Sequence, residues 1–508
     1  MAIVAKVDVY SHHFVLYGYT REVYLMALEF SRPLIQMGLK PVRGGRFVPV
    51  MEKVFAAAPN DRIYIRYSLS LLQNFFDYAK QKGFDKDSFQ LTVHELFEPA
   101  PLKSKMKKGF ELRDYQIPIV EFCKEPDRPL RMVVVQTGRG KTAMASKAAE
   151  ELGHRIAVVV PAMYVDKWVS DFDELYQNGG KSCMVVKGYK QIKALVQLAK
   201  AGGLTDDFIV ISSTSMQIFL KMWEEDRNET LELCCDPVDF FKVLGVGTRI
   251  IDEVHKGIHL NIKMDLYTHV PKAIYLTGTI IASNPFINRM TEMAYPVKDR
   301  YQGLAYDRYI GVNALEYRLR TPGRARWTGR RKEYSQVVYE ASILRNATMR
   351  ENYAKMIVDL VRDTYVSIAK PRQTALVFAG SVEMCTFLAR AIKAAFPEHK
   401  VGRYVSEDDY SILMDNDIVV STVLSAGTAV DKYGLITVLM TIAIDSRQSN
   451  EQTMGRLRRL KDWPEQTPMF YYLVCGDIDK HITYHQRKYE LLKDKALWQR
   501  YEILSYSI

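Results

Sequence analysis

The sequence predicts an α/β protein, two tandem parallel-sheet domains preceded by a small α+β N-terminal domain, and three observations carry that expectation. The first is length: 508 residues at roughly 150 per domain give about three domains. The second is a series of short β-branched runs separated by helix-compatible segments, at residues 132–135, 156–160, 208–211, 249–251 and 273–276. Strands buried on both faces have this unbroken apolar character, whereas strands with one wet face alternate. The third is that the series recurs after a gap, at residues 374–378, 417–420, 436–442 and 469–474.

Taken in chain order, residues 1–109 form the small accessory domain. It contains an alternating stretch, Arg-Ile-Tyr-Ile-Arg-Tyr from Arg62, and a helical stretch near residues 71–80. Its arginines Arg43, Arg46, Arg62 and Arg66 are candidates for phosphate contact. A lysine-rich linker at residues 99–109, whose prolines resist regular structure, ends it. Residues 110–300 hold the first parallel-sheet domain, 301–480 the second, and 481–508 a helical tail. Between the two series lies a basic run at residues 317–332, with Arg318, Arg320, Arg324, Arg326, Arg330, Arg331 and Lys332 around Trp327. Such runs are ordinarily solvated, and a place near a domain junction makes phosphate contact the competing reading.

Hydrophobic residues at 48% and charged residues at 25% exclude a disordered chain. The 70 Lys plus Arg exceed the 59 Asp plus Glu by 11, a balance that favours a polyanionic partner. Six scattered cysteines, only Cys234 and Cys235 being close, suit neither a zinc clip nor a disulfide framework. No apolar stretch approaches the roughly 20 residues of a membrane span, and charge at Lys6 and Asp8 comes too early for a secretory leader. An intracellular, reducing compartment and no membrane partner are expected.

The sharpest chemical signal is residues 133–142, Val-Val-Val-Gln-Thr-Gly-Arg-Gly-Lys-Thr. A strand enters a glycine-bearing turn and continues into a helix, the setting in which Thr137, Gly138, Arg139 and Gly140 offer backbone amides to phosphate. Lys141 would reach the β and γ phosphates, and Thr142 would place its hydroxyl on a magnesium ion. Val135 stands where the general pattern has its first glycine. Residues 249–255, Arg-Ile-Ile-Asp-Glu-Val-His, deliver two carboxylates from a strand. Asp252 would hold magnesium, and Glu253 would accept a proton from the attacking water.

Asp-Glu-Val-His has the form of motif II in superfamily 2 helicases and translocases, and the sequence resembles that superfamily from about Leu112 to Arg459. Leu-Arg-Asp-Tyr-Gln at residues 112–116 resembles the Q motif, which makes Gln116 an adenine reader. Residues 158–168 resemble motif Ia, with Pro161 facing nucleic acid, and residues 211–216 resemble motif Ib/Ic, with Ser213 and Thr214 on the sugar-phosphate chain. Leu-Thr-Gly-Thr at 276–279 resembles motif III, implying coupling through Thr277, Thr279 and His255. Residues 375–381 and 419–428 resemble motifs IV and V, implying nucleic-acid contacts at Ser381, Thr422 and Gly427. Gln-Thr-Met-Gly-Arg-Leu-Arg-Arg at 452–459 resembles motif VI: Gln452 couples, and Arg456 and Arg459 are the arginine fingers.

The resemblance implies two RecA-like domains, ATP and Mg2+ as cofactors, and ATP hydrolysis. Gln452 stands where RNA helicases of the DEAD-box type have histidine, and motif Ia lacks their Pro-Thr-Arg-Glu-Leu pattern, so DNA is the expected partner. Motifs V and VI are most similar to phage UvsW-type helicases, themselves RecG-like, which implies branched DNA, unwinding or branch migration, and a bacterial host's cytoplasm. A monomer is expected. Two other readings remain open: a double-strand translocase that does not separate strands, and a non-catalytic junction-binding protein with a structural ATP.

Overall fold

The computed structural model describes residues 2–41, 47–57, 64–224, 234–278, 280, 285–329, 333–405, 408–426 and 432–508. The chain forms two compact units, Met1–Val135 with Arg139–Gly303, and Gln136–Gly138 with Leu304–Ile508.

The first unit begins with β1 (Ala5–Val9), β2 (His13–Tyr17), the ribbon strands β3 (Ile35–Pro41) and β4 (Phe47–Lys53), β5 (Ala56–Ala57), β6 (Tyr64–Ser68) and β7 (Phe89–Val93). Five of them make a mixed sheet in the order β5-β6-β2-β1-β7, backed by helices Arg21–Ser31 and Leu72–Gln81. Phe14, Phe75, Tyr67 and Val7 are fully enclosed at its centre.

A second sheet follows: β8 (Leu130–Val134), β9 (Ile156–Val160), β10 (Cys183–Val186), β11 (Phe208–Ser212), β12 (Thr248–Asp252), β13 (Lys272–Thr277) and β14 (Arg300–Tyr301). Its order is β10-β11-β9-β12-β13-β8-β14, and every pairing is parallel. Every residue of β9, β11 and β13 is buried, as the unbroken apolar runs require. The five-stranded sheet shares a continuous apolar core with this domain.

In the second unit, β15 (Gly311–Arg318), β16 (Thr374–Ala379), β17 (Val401–Tyr404), β18 (Ile418–Thr422), β19 (Leu435–Met440), β20 (Met469–Cys475) and β21 (Trp498–Ser507) form another all-parallel sheet, ordered β17-β18-β16-β19-β20-β15-β21. Two apolar layers lie on its faces. Two parallel-sheet domains behind a small α/β module are therefore what the chain builds.

Four expectations change. The tail is helical only over Asp479–Leu492; beyond it β21 joins the sheet beside β15, because Trp498, Tyr501, Ile503 and Leu504 suit a pleated surface better than a helix. The basic run is not a junction loop: Arg318 closes β15 and bonds Glu316 at 2.6 Å, while Arg320 N–H donates to Ile508 O, and Arg330 to Lys332 lie outside the described residues. The linker at 99–109 is a strap: Asp207 accepts from Lys103 N, Ser104 N and Ser104 Oγ, and Met106 N–H donates to Glu150. Arg66 is no phosphate contact, since its guanidinium lies 5.1 Å over the Trp223 ring; Arg43, Arg46 and Arg62 lie outside the described residues.

Two features tie the first unit together. Arg249 on β12 is fully buried, ion-paired to Asp265 and donating to Thr268 Oγ1 at 2.9 Å and Tyr275 OH at 2.7 Å, while Tyr295 OH donates to Asp265 at 3.0 Å. Nearby, the accessory sheet docks through histidines. Tyr10 stacks on His13 at 4.6 Å and on His94 at 4.3 Å, with the His269 ring edge-on at 5.6 Å. Ser11 Oγ donates to Val270 O and Ser70 Oγ to Met293 O.

Two outcomes are expected. Asp265→Asn strands a buried guanidinium and should cost about 3–5 kcal/mol in urea unfolding, whereas Arg249→Met with Asp265→Leu should recover most of it. Burial, with Arg249 facing His12 and Arg66 facing His13, holds both rings well below the usual histidine range, and burial lowers His269 to about 4. A depressed histidine gives stability that is full above its unfolded pKa and lost as pH falls below it. Stability of this unit should therefore decline from about pH 6.5 downward, by up to about 1.4 kcal/mol per pH unit for each histidine. His269→Gln should flatten the slope of denaturant stability between pH 6.5 and 4.

Candidate active site

Parallel pairing collects the site at one edge of the second sheet. The register sets Asp252 opposite Leu276, and Thr277 opposite Val134, so the C-terminal ends of β12, β13 and β8 lie side by side. Ligands of open α/β sheets bind at such an edge.

Val135 continues β8: its N–H donates to Thr277 O at 3.1 Å, and it is not among the residues with positive φ. A glycine is therefore not required there, which accounts for the departure from the general loop pattern. Gly138 and Gly140 do need their freedom, with φ of 88° and 80°. Gly140 starts helix Lys141–Leu152 without a side-chain cap, which leaves first-turn amides for an anion. Lys141 Nζ lies 3.3 Å from Val135 O, over the mouth of that turn, and Thr142 is the next residue of the helix.

Gln116 closes the loop from the other side. Its Oε1 accepts from Arg113 N–H at 2.9 Å, and its Nε2 donates to Arg139 O at 3.0 Å. Tyr115 OH donates to the same carbonyl at 3.1 Å, and the Arg139 guanidinium lies 4.5 Å over the Tyr115 ring. The sequence expectation omitted Tyr115; its aromatic ring directly before the glutamine was the available signal.

At the end of β12, Glu253 has φ 53° and ψ 47°, a left-handed conformation that a non-glycine residue adopts only where its surroundings enforce it. Its N–H donates to Asp252 Oδ1 at 2.9 Å, so the two carboxylates diverge from one turn. His255 Nε2 stands 3.5 Å from Glu253 Oε2, and Nδ1 bonds Thr277 Oγ1 at 3.0 Å. Burial pushes the Asp252 carboxyl up, as does Glu253, while Lys141 and Lys167 oppose the shift.

No cluster of three or more metal-ligating residues occurs among the described residues. Magnesium needs none, since it retains water and binds through one or two protein oxygens plus phosphate. The Thr142 hydroxyl and the Asp252 carboxylate are a donor set of that kind.

The remaining candidates separate by exposure. Pro161 is half-exposed just past β9, Ser213 is half-buried and Thr214 exposed at the start of helix Ser213–Glu224. In the second unit, Thr422 is half-buried at the end of β18, its Oγ1 2.8 Å from Ser425 Oγ. Ser381 is buried: its hydroxyl caps helix Val382–Ala395 and donates to Glu340 at 2.6 Å. Gln452 lies on helix Arg447–Met454, Arg456 is buried just beyond it, and exposed Arg459 is ion-paired to Asp307 and stacked over Tyr309 at 5.1 Å. Thr279 and Gly427 lie outside the described residues.

Residues 109–282 match ResIII, the family of the type III restriction enzyme res subunit. They are a superfamily 2 helicase-type ATPase domain. The chain is accordingly an ATP-hydrolysing enzyme of the helicase type. Among solved structures it is similar to S. cerevisiae Dbp5 bound to RNA and ADP BeF3, with 10% identity, a TM-score of 0.52, and coverage of 78% of this chain and 91% of that one. A Dbp5 variant with the same ligands gives 9%, 0.50, 76% and 89%. The Pyrococcus furiosus Hef helicase domain gives 12% identity and a TM-score of 0.43, covering 74% of this chain and 98% of that one. At these identities the likeness to Dbp5 is one of fold. No curated protein matches the chain by sequence. Among the described residues no helix is long and apolar enough to cross a membrane.

A methyl group at Gly140 would be strained by its φ of 80° and would stand 2.5 Å from Gln116 Nε2. Gly140→Ala should therefore weaken ATP binding about tenfold or more in calorimetric titration. Gly153→Ala, at the other end of the same helix with φ 75° and open space around it, should lose stability and leave ATP affinity alone.

Proposed function

We propose that the chain is a DNA-stimulated ATPase that unwinds or branch-migrates forked and junction DNA. The observation that carries the reading is the edge at which the Lys141 loop, Asp252 and Glu253 converge, within a helicase-type domain. The preference for DNA rests on the sequence: Gln452 in place of the DEAD-box histidine, and motif V and VI forms similar to UvsW-type helicases. The net charge of +11 suits a phosphate backbone.

In this reading Lys141 and the amides at the start of its helix bind the β and γ phosphates, and Gln116 orients the base. Thr142 and Asp252 would hold Mg2+, which when bound neutralises charge on the phosphates. Glu253, fixed by its left-handed backbone and by His255, takes the proton of the attacking water. Arg456 and Arg459 act as arginine fingers, stabilising the charge that develops on the γ phosphate. His255 and Thr277 join the carboxylate to the end of β13 and carry the nucleotide state toward the nucleic-acid contacts, which are Pro161, Ser213 and Thr214 in the first unit and Thr422 in the second. The chain acts as a monomer in this reading.

Lys141→Ala and Glu253→Gln should each lower ATP turnover by at least about a thousandfold, with Glu253→Gln still binding ATP. Arg459→Ala should lower turnover more than affinity. Strand-displacement assays on matched linear duplex, fork, four-way junction and RNA substrates test the output. Preference for forks and junctions is expected; displacement of RNA alone, or triplex displacement without strand separation, would overturn it.

A further inference from the structure

Away from the nucleotide site, the accessory module and the first parallel-sheet domain border a cavity of about 480 Å³, within the roughly 300–1,000 Å³ that small organic groups occupy. Its walls come from the end of helix Arg21–Ser31 with the turn Arg32–Leu34, from helix Leu72–Gln81, and from Met293 of helix Pro285–Ala294. Buried Leu34 and Leu71 give it an apolar floor. Ser70 Oγ donates to Met293 O at 2.6 Å and Arg289 Nη1 to Pro33 O at 3.4 Å, which fixes the seam between the two sides.

The lining fits a flat heteroaromatic ring. Phe30 and Tyr78 present half-buried rings whose centres are 5.6 Å apart, inclined at 45°. Tyr67 at 5.6 Å and Phe75 at 5.5 Å brace Phe30 edge-on, so this wall is preorganised. Exposed Asn74, one helical turn before Tyr78, offers an amide donor and an acceptor, the two functions found along a base edge. The surrounding charge is positive: Glu29 is matched by Lys82 at 2.9 Å, whose Nζ also lies 5.3 Å over the Tyr78 ring, and exposed Arg32 and Arg289 are in excess. Aromatic stacking beside cations that take the backbone is how single strands are held.

We propose that this cavity is a nucleobase site, which takes one unstacked base of single-stranded DNA against Phe30 and Tyr78, with Asn74 on the base edge and Arg32 on a flanking phosphate. The proposal rests on the reading of the chain as a DNA-stimulated ATPase and adds to it a contact that senses bases, to which a grip on phosphates alone is blind. A base enters such a pocket only once it is unpaired, as at a fork or junction.

The test is fluorescence-anisotropy titration of the full-length chain with two strands of equal length, an oligothymidylate and its abasic counterpart, and with the same two strands built on ribose. The parent should bind the abasic DNA at least about tenfold more weakly than the oligothymidylate. Tyr78→Leu, which keeps an apolar side chain in the wall, should narrow that ratio to about twofold, and Asn74→Ala should narrow it in the same direction. Arg32→Ala should weaken both strands by one factor. Irradiation of the parent with a strand carrying 5-iododeoxyuridine should crosslink Phe30, Tyr78 or Met293, read by peptide mapping. Equal affinity of the parent for the two DNA strands, a base dependence that survives intact in Tyr78→Leu, a base dependence confined to the ribose strands, or crosslinks only outside the cavity would each overturn the proposal while leaving the ATPase reading in place. A folded parent that binds none of the strands would overturn both.

Discussion

The register of three parallel strands is the constraint on which the candidate site depends. Because β12 pairs with β13 and β13 with β8, residues far apart in sequence, Lys141 and Asp252, reach one sheet edge without any long side chain having to bridge a gap. A slip of one residue in β12 would turn Asp252 to the opposite face. Burial on both faces makes that slip expensive, since Ile250 and Ile251 would each lose a packed environment.

The same strand carries Arg249 three residues earlier, in the ion-paired network with Asp265, Thr268, Tyr275 and Tyr295. A fully desolvated guanidinium is a poor source of net stability but a strong enforcer of register, because any displacement leaves its charge uncompensated. His12, in the turn between β1 and β2, faces this network, so the small domain is packed against the anchor of the strand that carries Asp252 rather than hung from a linker. The strap of residues 99–109 reinforces that arrangement through Asp207 and Glu150.

Much of this was legible in the sequence where the signal is local. The fully buried strands β9, β11 and β13 announce themselves by their apolar runs, and the phosphate loop and Asp-Glu pair by spacing. Strands that carry polar residues inward were not legible: β15 buries Asn313 and Glu316, whose partners, Glu502 and Arg318, are fixed only by tertiary structure. Edge strands such as β21 are exposed along much of their length and lack the apolar signature. At the site, residue identities were readable, but conformations were not. Nothing in Asp-Glu-Val-His reports the left-handed Glu253, and nothing in Gly-Ser reports that Ser381 faces Glu340.

The central claim is that the edge formed by β8, β12 and β13 turns over ATP under the control of nucleic acid. Steady-state ATP hydrolysis by the unmodified chain, measured at fixed salt without nucleic acid and then with saturating single-stranded or branched DNA, tests it most directly. The account predicts slow basal turnover that rises severalfold or more with DNA and declines as salt weakens phosphate contacts. A purified, folded chain that binds ATP yet shows the same negligible turnover with and without nucleic acid would contradict it.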